Sequence, residues 1–341
     1  MPPSRIRPLP AAAVLLVLAT ATACGTTTAA PATAPAESQA SDPAAVRVVA
    51  STDVYGSIVR AVGGDRVEVR SIIDSPDADP HEYEATPADA AAVTGAQILV
   101  LNGAGYDDFA TRLAEVASPA PTVVNVVELS GLEGTGEAGA GHAHEDGGAG
   151  HAHGDGGAGH EHGVFNEHVW YSLPTVKKLA DRLAADLAAA DPAGAATYTQ
   201  NASAFTGRVD GLIGRLDAIK TAHGGDRVAV TEPVPGYLVQ DAGLLDATPA
   251  EFSEAVEEGT DPPAAVLGEM LQLVGGRQVA AVLVNAQTAN PATDEVGRVA
   301  SDASVPLVTV SETLPEGTDD YVAWQDRQFG ELAAALDADA A

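Results

Sequence analysis

Cysteine occurs once in this chain of 341 residues, at Cys24, so no intrachain disulfide can form. Aromatic residues make up only 4% of the chain, and its core must rest on Val, Leu, Ile and Ala. Basic residues are scarce: 17 Lys and Arg face 48 Asp and Glu, giving a formal net charge of −31. That balance excludes nucleic acid as a partner, because its phosphates would be repelled. It suits a soluble protein that works with cations or simply stays dispersed. No GxxxxGK[ST] nucleotide-binding loop is present, and the chain has only three lysines. "GTGEAG", Gly134 to Gly139, has the GxGxxG spacing. It neither directly follows a strand nor opens a helix, so it is not a dinucleotide fingerprint. A compact metal motif of the HExxH type is also missing.

Long hydrophobic runs are lacking as well. The apolar stretch "AAAVLLVLATATA" closes at Cys24 and falls short of the roughly 20 residues that a transmembrane helix needs. With Arg5 and Arg7 ahead of it, it reads as a signal peptide over residues 1–23. A lone cysteine just after "ATA" resembles a bacterial lipoprotein signal, which implies that Cys24 is lipidated and becomes the mature N-terminus. The alternative is an ordinary cleaved signal with an incidental cysteine. Both export the protein, and the first leaves it lipid-anchored on the outer side of the cell membrane. Residues 24–44 are Ala, Thr, Pro and Ser, and predict a flexible tether.

From Val46 the texture changes. "VRVVAS", "RVEVRSII", "QILVLNG" and "PTVVNVVEL" are short β-branched runs, and helical or loop segments such as "AGYDDFATRLAEV" stand between them. Repeated strand and helix predict a parallel sheet flanked by helices, in a lobe over residues 45–190. "SLPTVKKLADRLAADLAAADP" places Val176, Leu179, Leu183 and Leu187 on one helical face. With Asp191 as N-cap and Pro192 just inside, a second helix over residues 191–221 follows. Tyr198, Phe205, Leu212 and Ile219 recur along it, with Ala202, Val209 and Leu216 between. At about 1.5 Å per residue it exceeds about 40 Å, long enough to join two halves. The second half, residues 226–341, repeats the texture with "RVAVTE", "YLVQDAG", "QVAAVLVNA" and "VPLVTVSE", then a closing helix "DDYVAWQDRQFGELAAAL". The expected fold is therefore α/β, with two lobes joined by one long rigid helix.

Against these scarcities, histidine is concentrated. Six of nine fall in "GHAHEDGGAGHAHGDGGAGHEH": His142, His144, His151, His153, His160 and His162. The stretch repeats every nine residues, is glycine-rich and has no apolar face, so residues 132–164 predict a disordered loop. Its His-X-His pairs can bind zinc, nickel or copper at neutral pH, but ordering a loop costs entropy, so these sites should be weak. An insertion with no selected role is the alternative. His223, just after the long helix, reads as a helix-end or turn residue.

Open α/β sheets bind ligands just beyond the carboxyl ends of their strands. Four residues stand at such places or just after the His-rich stretch: His81, His168, Glu232 and Glu312. Two imidazoles and two carboxylates would cage a divalent first-row cation in a cleft between the lobes. Duller readings exist: a turn for His81, a helix start for His168, and helix N-terminal acids for Glu232 and Glu312.

"DADPHEYEATPADA", which holds His81, resembles the first ligand segment of the zinc/manganese (cluster A-I) family of ABC-transporter substrate-binding lipoproteins. "NEHVWYSL", with His168, is similar to its second, and "TEPVPGYLVQDAGL", with Glu232, to its third. "SETLPEGTDDYVAW", with Glu312, resembles its fourth, where Asp is usual. "VLNGAGYDDF" and "DPAGAATYTQNASAF" resemble its intervening strand-to-helix segment and its connecting helix. The resemblance implies a monomeric receptor that enzymatically does nothing and hands a metal ion to a membrane permease driven by a separate ATPase. It implies His81, His168, Glu232 and Glu312 as ligands, and a supporting role for Asn285, where the family often has Glu. Two carboxylates lean toward manganese or iron, while the His-rich loop and the general affinity order favour zinc, the expected cargo. A metal buffer or adhesin and an extracytoplasmic metallohydrolase are the other readings; the latter needs an open metal position.

Overall fold

The computed structural model describes residues 45–76, 78–132 and 165–339. The signal peptide, Cys24, the tether and the six clustered histidines lie outside the described residues. Of the expected loop, Leu132 is described, and it packs against the main core.

The first half runs β1 (Val46–Thr52), α1 (Asp53–Gly63), β2 (Val67–Ile73), α2 (Pro87–Gly95), β3 (Ile98–Leu101), α3 (Asp108–Val116), β4 (Thr122–Asn125), α4 (Val126–Ser130) and α5 (Leu173–Ala190). α6 (Ala195–His223) then crosses to the second half. There the order is β5 (Arg227–Val230), α7 (Gly236–Asp241), β6 (Leu245–Asp246), α8 (Ala250–Glu257) and α9 (Ala264–Gly275). β7 (Ala281–Asn285), α10 (Pro291–Ala303), β8 (Leu307–Val310) and α11 (Tyr321–Asp339) complete it.

The two sheets have the same plan, β2-β1-β3-β4 and β6-β5-β7-β8, with every pairing parallel. Val48 pairs with both Val69 and Ile98, and Val228 with both Asp246 and Ala281. Parallel neighbours need crossover connections, and the helices that provide them cover both sheet faces. β3, "ILVL", is accordingly buried at all four positions. Strand order reverses between β1 and β3, and again between β5 and β7, which opens a crevice beyond the carboxyl ends.

The apolar face expected on α5 is the buried one: Val176, Leu179, Leu183 and Leu187 are inaccessible. So are the predicted contacts of α6, from Tyr198 to Ile219. α6 packs on α1, α5 and α11, and the largest apolar cluster includes side chains of both sheets together with those of α6. Both halves therefore share a core along the long helix.

Several boundaries differ from the sequence expectation. Asp191 does not cap α6. It precedes a 3-10 turn, Pro192–Gly194, and its carboxylate takes hydrogen bonds from Arg66 Nε (2.8 Å) and the Tyr198 hydroxyl (2.8 Å). The helix starts at Ala195 and runs on to His223, so the span 191–221 was displaced at both ends. "VVEL" is not strand: Asn125 accepts from the Glu128 amide (3.1 Å) and starts α4 there. "YLVQD" is likewise α7. Glu232 and Glu312 are not helix N-terminal acids; both occupy loops. His223 ends α6, between Asp226 (3.2 Å) and Asp337 (3.1 Å).

Candidate metal centre

The loops beyond the strand ends are tied across the crevice by hydrogen bonds. The Leu314 amide donates to Asp53 (3.1 Å), and Ser57 Oγ donates to the Asp319 carbonyl (2.8 Å). The Tyr321 hydroxyl donates to the Trp170 carbonyl (2.6 Å), and Gln287 donates to the Pro76 carbonyl (2.8 Å). The side chains between these ties are held from both halves.

His81 sits in the turn after β2. That turn is pinned from behind by α2. Thr86 and Asp89 form a capping box with Pro87 at the first helical position, and Asp89 also accepts from the Tyr83 hydroxyl (2.9 Å) and Arg70 (2.9 Å). The His81 amide donates to Asp79 (2.9 Å), and its ring stands edge-on to Tyr106 at 5.0 Å.

His168 precedes a 3-10 turn, Val169–Tyr171, and is fully buried against Trp170 and Tyr106. Asn166 orients it. The Asn166 amide nitrogen donates to the Pro233 carbonyl (2.8 Å), which leaves Oδ1 to accept from the His168 amide (3.0 Å) and from Nδ1 (2.7 Å). Nδ1 therefore carries the hydrogen, and Nε2 keeps its lone pair. Gly236 makes this possible: a Cβ there would come within 2.5 Å of the Asn166 nitrogen.

Glu312 follows β8. Its Oε1 accepts from Asn285 Nδ2 (2.8 Å), while Oε2 faces His81 Nε2 (3.8 Å) and His168 Nε2 (4.0 Å). Glu232 follows β5, and its Oε2 accepts from both Asn285 Nδ2 (2.5 Å) and Thr288 Oγ1 (2.5 Å). One amide thus links both expected carboxylates. Asn285, at the end of β7, holds the supporting place.

The residue that sequence reasoning missed is Glu257. It ends α8, and its Oε1 lies 3.9 Å from His168 Nε2. One ligand-type atom each of His81, His168 and Glu257 falls within 4.8 Å of the others. The signal for it was faint: an acidic pair, Glu257–Glu258, at a helix C-terminus, where the helix dipole disfavours negative charge.

His168 Nε2, Glu257 Oε1 and Glu312 Oε2 are all buried without a hydrogen-bond partner. Glu257 Oε1 and Glu312 Oε2 each lie within 4.0 Å of His168 Nε2, and buried lone pairs so placed are costly unless something electron-poor lies beside them. Tetrahedral bonds of about 2.0–2.1 Å put neighbouring ligand atoms about 3.4 Å apart. The observed 3.8–4.0 Å separations need only a small contraction to reach that.

The electrostatics agree. Burial pushes the Glu257 carboxyl up to about 9, and Glu167, Glu232, Glu312 and Glu254 add repulsion. Burial likewise raises Glu312 to about 8, against the Asn285 hydrogen bond, with Glu232 and Asp79 repelling it. Glu232 is raised by burial despite its donors, and burial takes Glu167 to about 7. His168 is held well below its ordinary value by burial and then by His81, so the ring is neutral, the form that coordinates metals. A bound dication would stabilise every one of these carboxylates.

Fold and site together define a two-lobed α/β protein with imidazoles and carboxylates gathered beyond the ends of its two parallel sheets. The family model "Zinc-uptake complex component A periplasmic" matches residues 48–335, and the chain belongs to that family. It is 28% identical over 166 residues to the manganese-binding lipoprotein MntA of Halalkalibacterium halodurans, covering 49% of this chain and 47% of that protein. The chain thus spans about half the length of that relative. It is 25% identical over 242 residues to the iron ABC transporter substrate-binding lipoprotein MtsA of Streptococcus pyogenes, covering 67% of this chain and 69% of MtsA. In structure it is similar to the periplasmic zinc-binding protein TroA of Treponema pallidum. The TM-score is 0.68 at 16% identity, over 86% of this chain and 99% of TroA, a likeness of fold.

Proposed function

We propose that this protein is the extracytoplasmic receptor of an ABC importer for divalent metal, with Zn2+ as its transported cargo. It is not an enzyme. The ion is coordinated among His81, His168, Glu232 and Glu312, and is released to a membrane permease worked by a separate ATPase. The observation that carries this reading is the approach of Glu312 Oε2 to both His81 Nε2 (3.8 Å) and the unpartnered His168 Nε2 (4.0 Å) beyond the ends of two parallel sheets. Family membership supports the same role. A metallohydrolase would need an open coordination position, and four protein donors leave none.

Zinc is favoured because it outcompetes manganese at almost any nitrogen and oxygen site. The six clustered histidines point the same way, as weak capture sites close in sequence to His168. Manganese or iron is the second reading, supported by the hard carboxylates of the site and by the names of MntA and MtsA. The chain acts as a monomer, held at the bacterial membrane by lipidated Cys24 through residues 24–44.

Metal analysis of protein purified without chelator, followed by competition between zinc and manganese, tests the assignment. One tightly held equivalent that is zinc, and that displaces manganese, is expected. Manganese retained against equimolar zinc would assign the receptor to manganese.

A further inference from the structure

Glu312 belongs to the second half of the chain, but its backbone is held by the first. Residues 311–320 join β8 to α11. On one side of Glu312 the Tyr171 hydroxyl reaches the Ser311 carbonyl (3.0 Å). On the other, the Leu314 amide donates to both oxygens of Asp53 (3.1 and 3.3 Å). The Glu312 amide itself donates to Gln287 Oε1 (3.2 Å), and Gln287 Nε2 donates to the Pro76 carbonyl (2.8 Å). Farther along, Ser57 Oγ donates to the Asp319 carbonyl (2.8 Å) and accepts from the Tyr321 amide (2.9 Å). Asp53 and Ser57 stand one turn apart on α1, so one edge of that helix grips both ends of the segment. Asp53 is the unfavourable member of this set. It is buried, and burial pushes its carboxyl up to about 6 against the hydrogen bonds of the Leu314 and Val54 amides and the charge of Arg60. What it supplies in return is a charged acceptor, which holds an amide hydrogen more firmly than a neutral one.

We infer that Asp53 is a positioning residue for the metal site: by holding the Leu314 amide across the crevice, it fixes where Glu312 stands relative to His81 and His168. This rests on the cleft reading above and adds to it a residue that acts on the ion only through Glu312. Binding sites tolerate misplacement of only about 0.5 Å, so a ligand on a loop needs such supports. Glu312 follows a strand of the second sheet, yet with Ser311 and Leu314 both tied to the first half it keeps its place beside the two imidazoles of that half.

The test compares the full chain with Asp53→Ala, Asp53→Asn, Ser57→Ala, Glu312→Gln and the double variant Asp53→Ala with Glu312→Gln. Zinc affinity is read by competition with a chelator of known strength. Cobalt absorption at less than one equivalent reports the geometry of the tightest site, and a thermal melt of each metal-free variant confirms folding. Asp53→Ala is expected to weaken zinc by about 10–100-fold and to change the cobalt spectrum. Asp53→Asn can still accept the Leu314 hydrogen and should stay within about threefold of the parent. With Glu312→Gln already present, Asp53→Ala should weaken zinc by less than about threefold further, because the ligand it positions is gone. Equal losses in the two backgrounds, an Asn variant as weak as the Ala one, or parental affinity with an unchanged spectrum in Asp53→Ala overturns the proposal. Ser57→Ala loosens the far end of the same segment and should weaken zinc in the same direction. It carries the test if Asp53→Ala does not fold, and parental affinity with an unchanged spectrum in it would then overturn the proposal. Glu312→Gln alone separates the two ideas: parental affinity in that variant sinks the cleft reading, whereas a loss there with none in Asp53→Ala sinks only the role of Asp53.

Discussion

At the scale of the residue, Asn166 shows how one side chain prepares a metal ligand without touching the metal. It accepts from His168 Nδ1 and donates to the Pro233 carbonyl, and the Tyr237 hydroxyl donates to its own carbonyl (2.7 Å). The tautomer of His168 is fixed by a group that also ties the two halves together. Asn166→Ala should leave the fold intact and weaken zinc binding by about 10–100-fold, read by chelator competition, because the imidazole loses its orienting partner. Affinity unchanged from the parent would show that packing against Trp170 and Tyr106 suffices. His81, His168, Glu232 and Glu312 could be picked out in the sequence because each stands where a strand hands over to a loop, or beside a family-like segment. Glu257 could not. It belongs to an amphipathic helix with Phe252 and Val256 buried, and only three-dimensional proximity to His168 distinguishes it from a surface acid. Nor does a sequence show which oxygen of a carboxylate is already engaged, Oε2 in Glu232 and Oε1 in Glu312.

At the scale of the element, the α2 capping box holds the His81 turn in shape. Asp89 is buried, which alone would raise its carboxyl; hydrogen bonds from Thr86 and Tyr83 and the charge of Arg70 more than offset that and lower it below 3.8. A carboxyl depressed in the folded state stabilises fully above its unfolded value, and that stabilisation is lost as pH falls through the folded one. Asp89→Asn should therefore cost about 1–3 kcal/mol at pH 7. The gap between the two proteins should narrow in urea unfolding well below pH 3.8. A gap independent of pH would contradict this origin. The strand and helix texture was legible because β-branched runs and helical periodicity survive in any α/β protein. Helix starts were less so: Asp191 has the composition of a cap, but Arg66 and Tyr198 compete for its carboxylate and win. "PTVVNVVEL" hid a strand and a helix because Asn125 can cap as readily as it can continue a strand.

At the scale of the whole molecule, two sheets of identical plan face one crevice and share a core along α6. Among the described residues no helix is long and apolar enough to cross a membrane. The dense histidine stretch is the most conspicuous metal signal in the sequence, yet the preformed geometry lies in residues scattered from His81 to Glu312. A preformed cage loses little entropy on binding, and a glycine-rich segment loses much, so the two should differ sharply in affinity. The direct measurement is the number of tight zinc equivalents in the full chain and in the double variant His81→Ala with His168→Ala. The variant retains every histidine between His142 and His162. One tight equivalent in the parent, absent from the variant with only weak binding left, is the predicted result. A tight equivalent that persists in the variant would place the site in the histidine stretch and contradict the account.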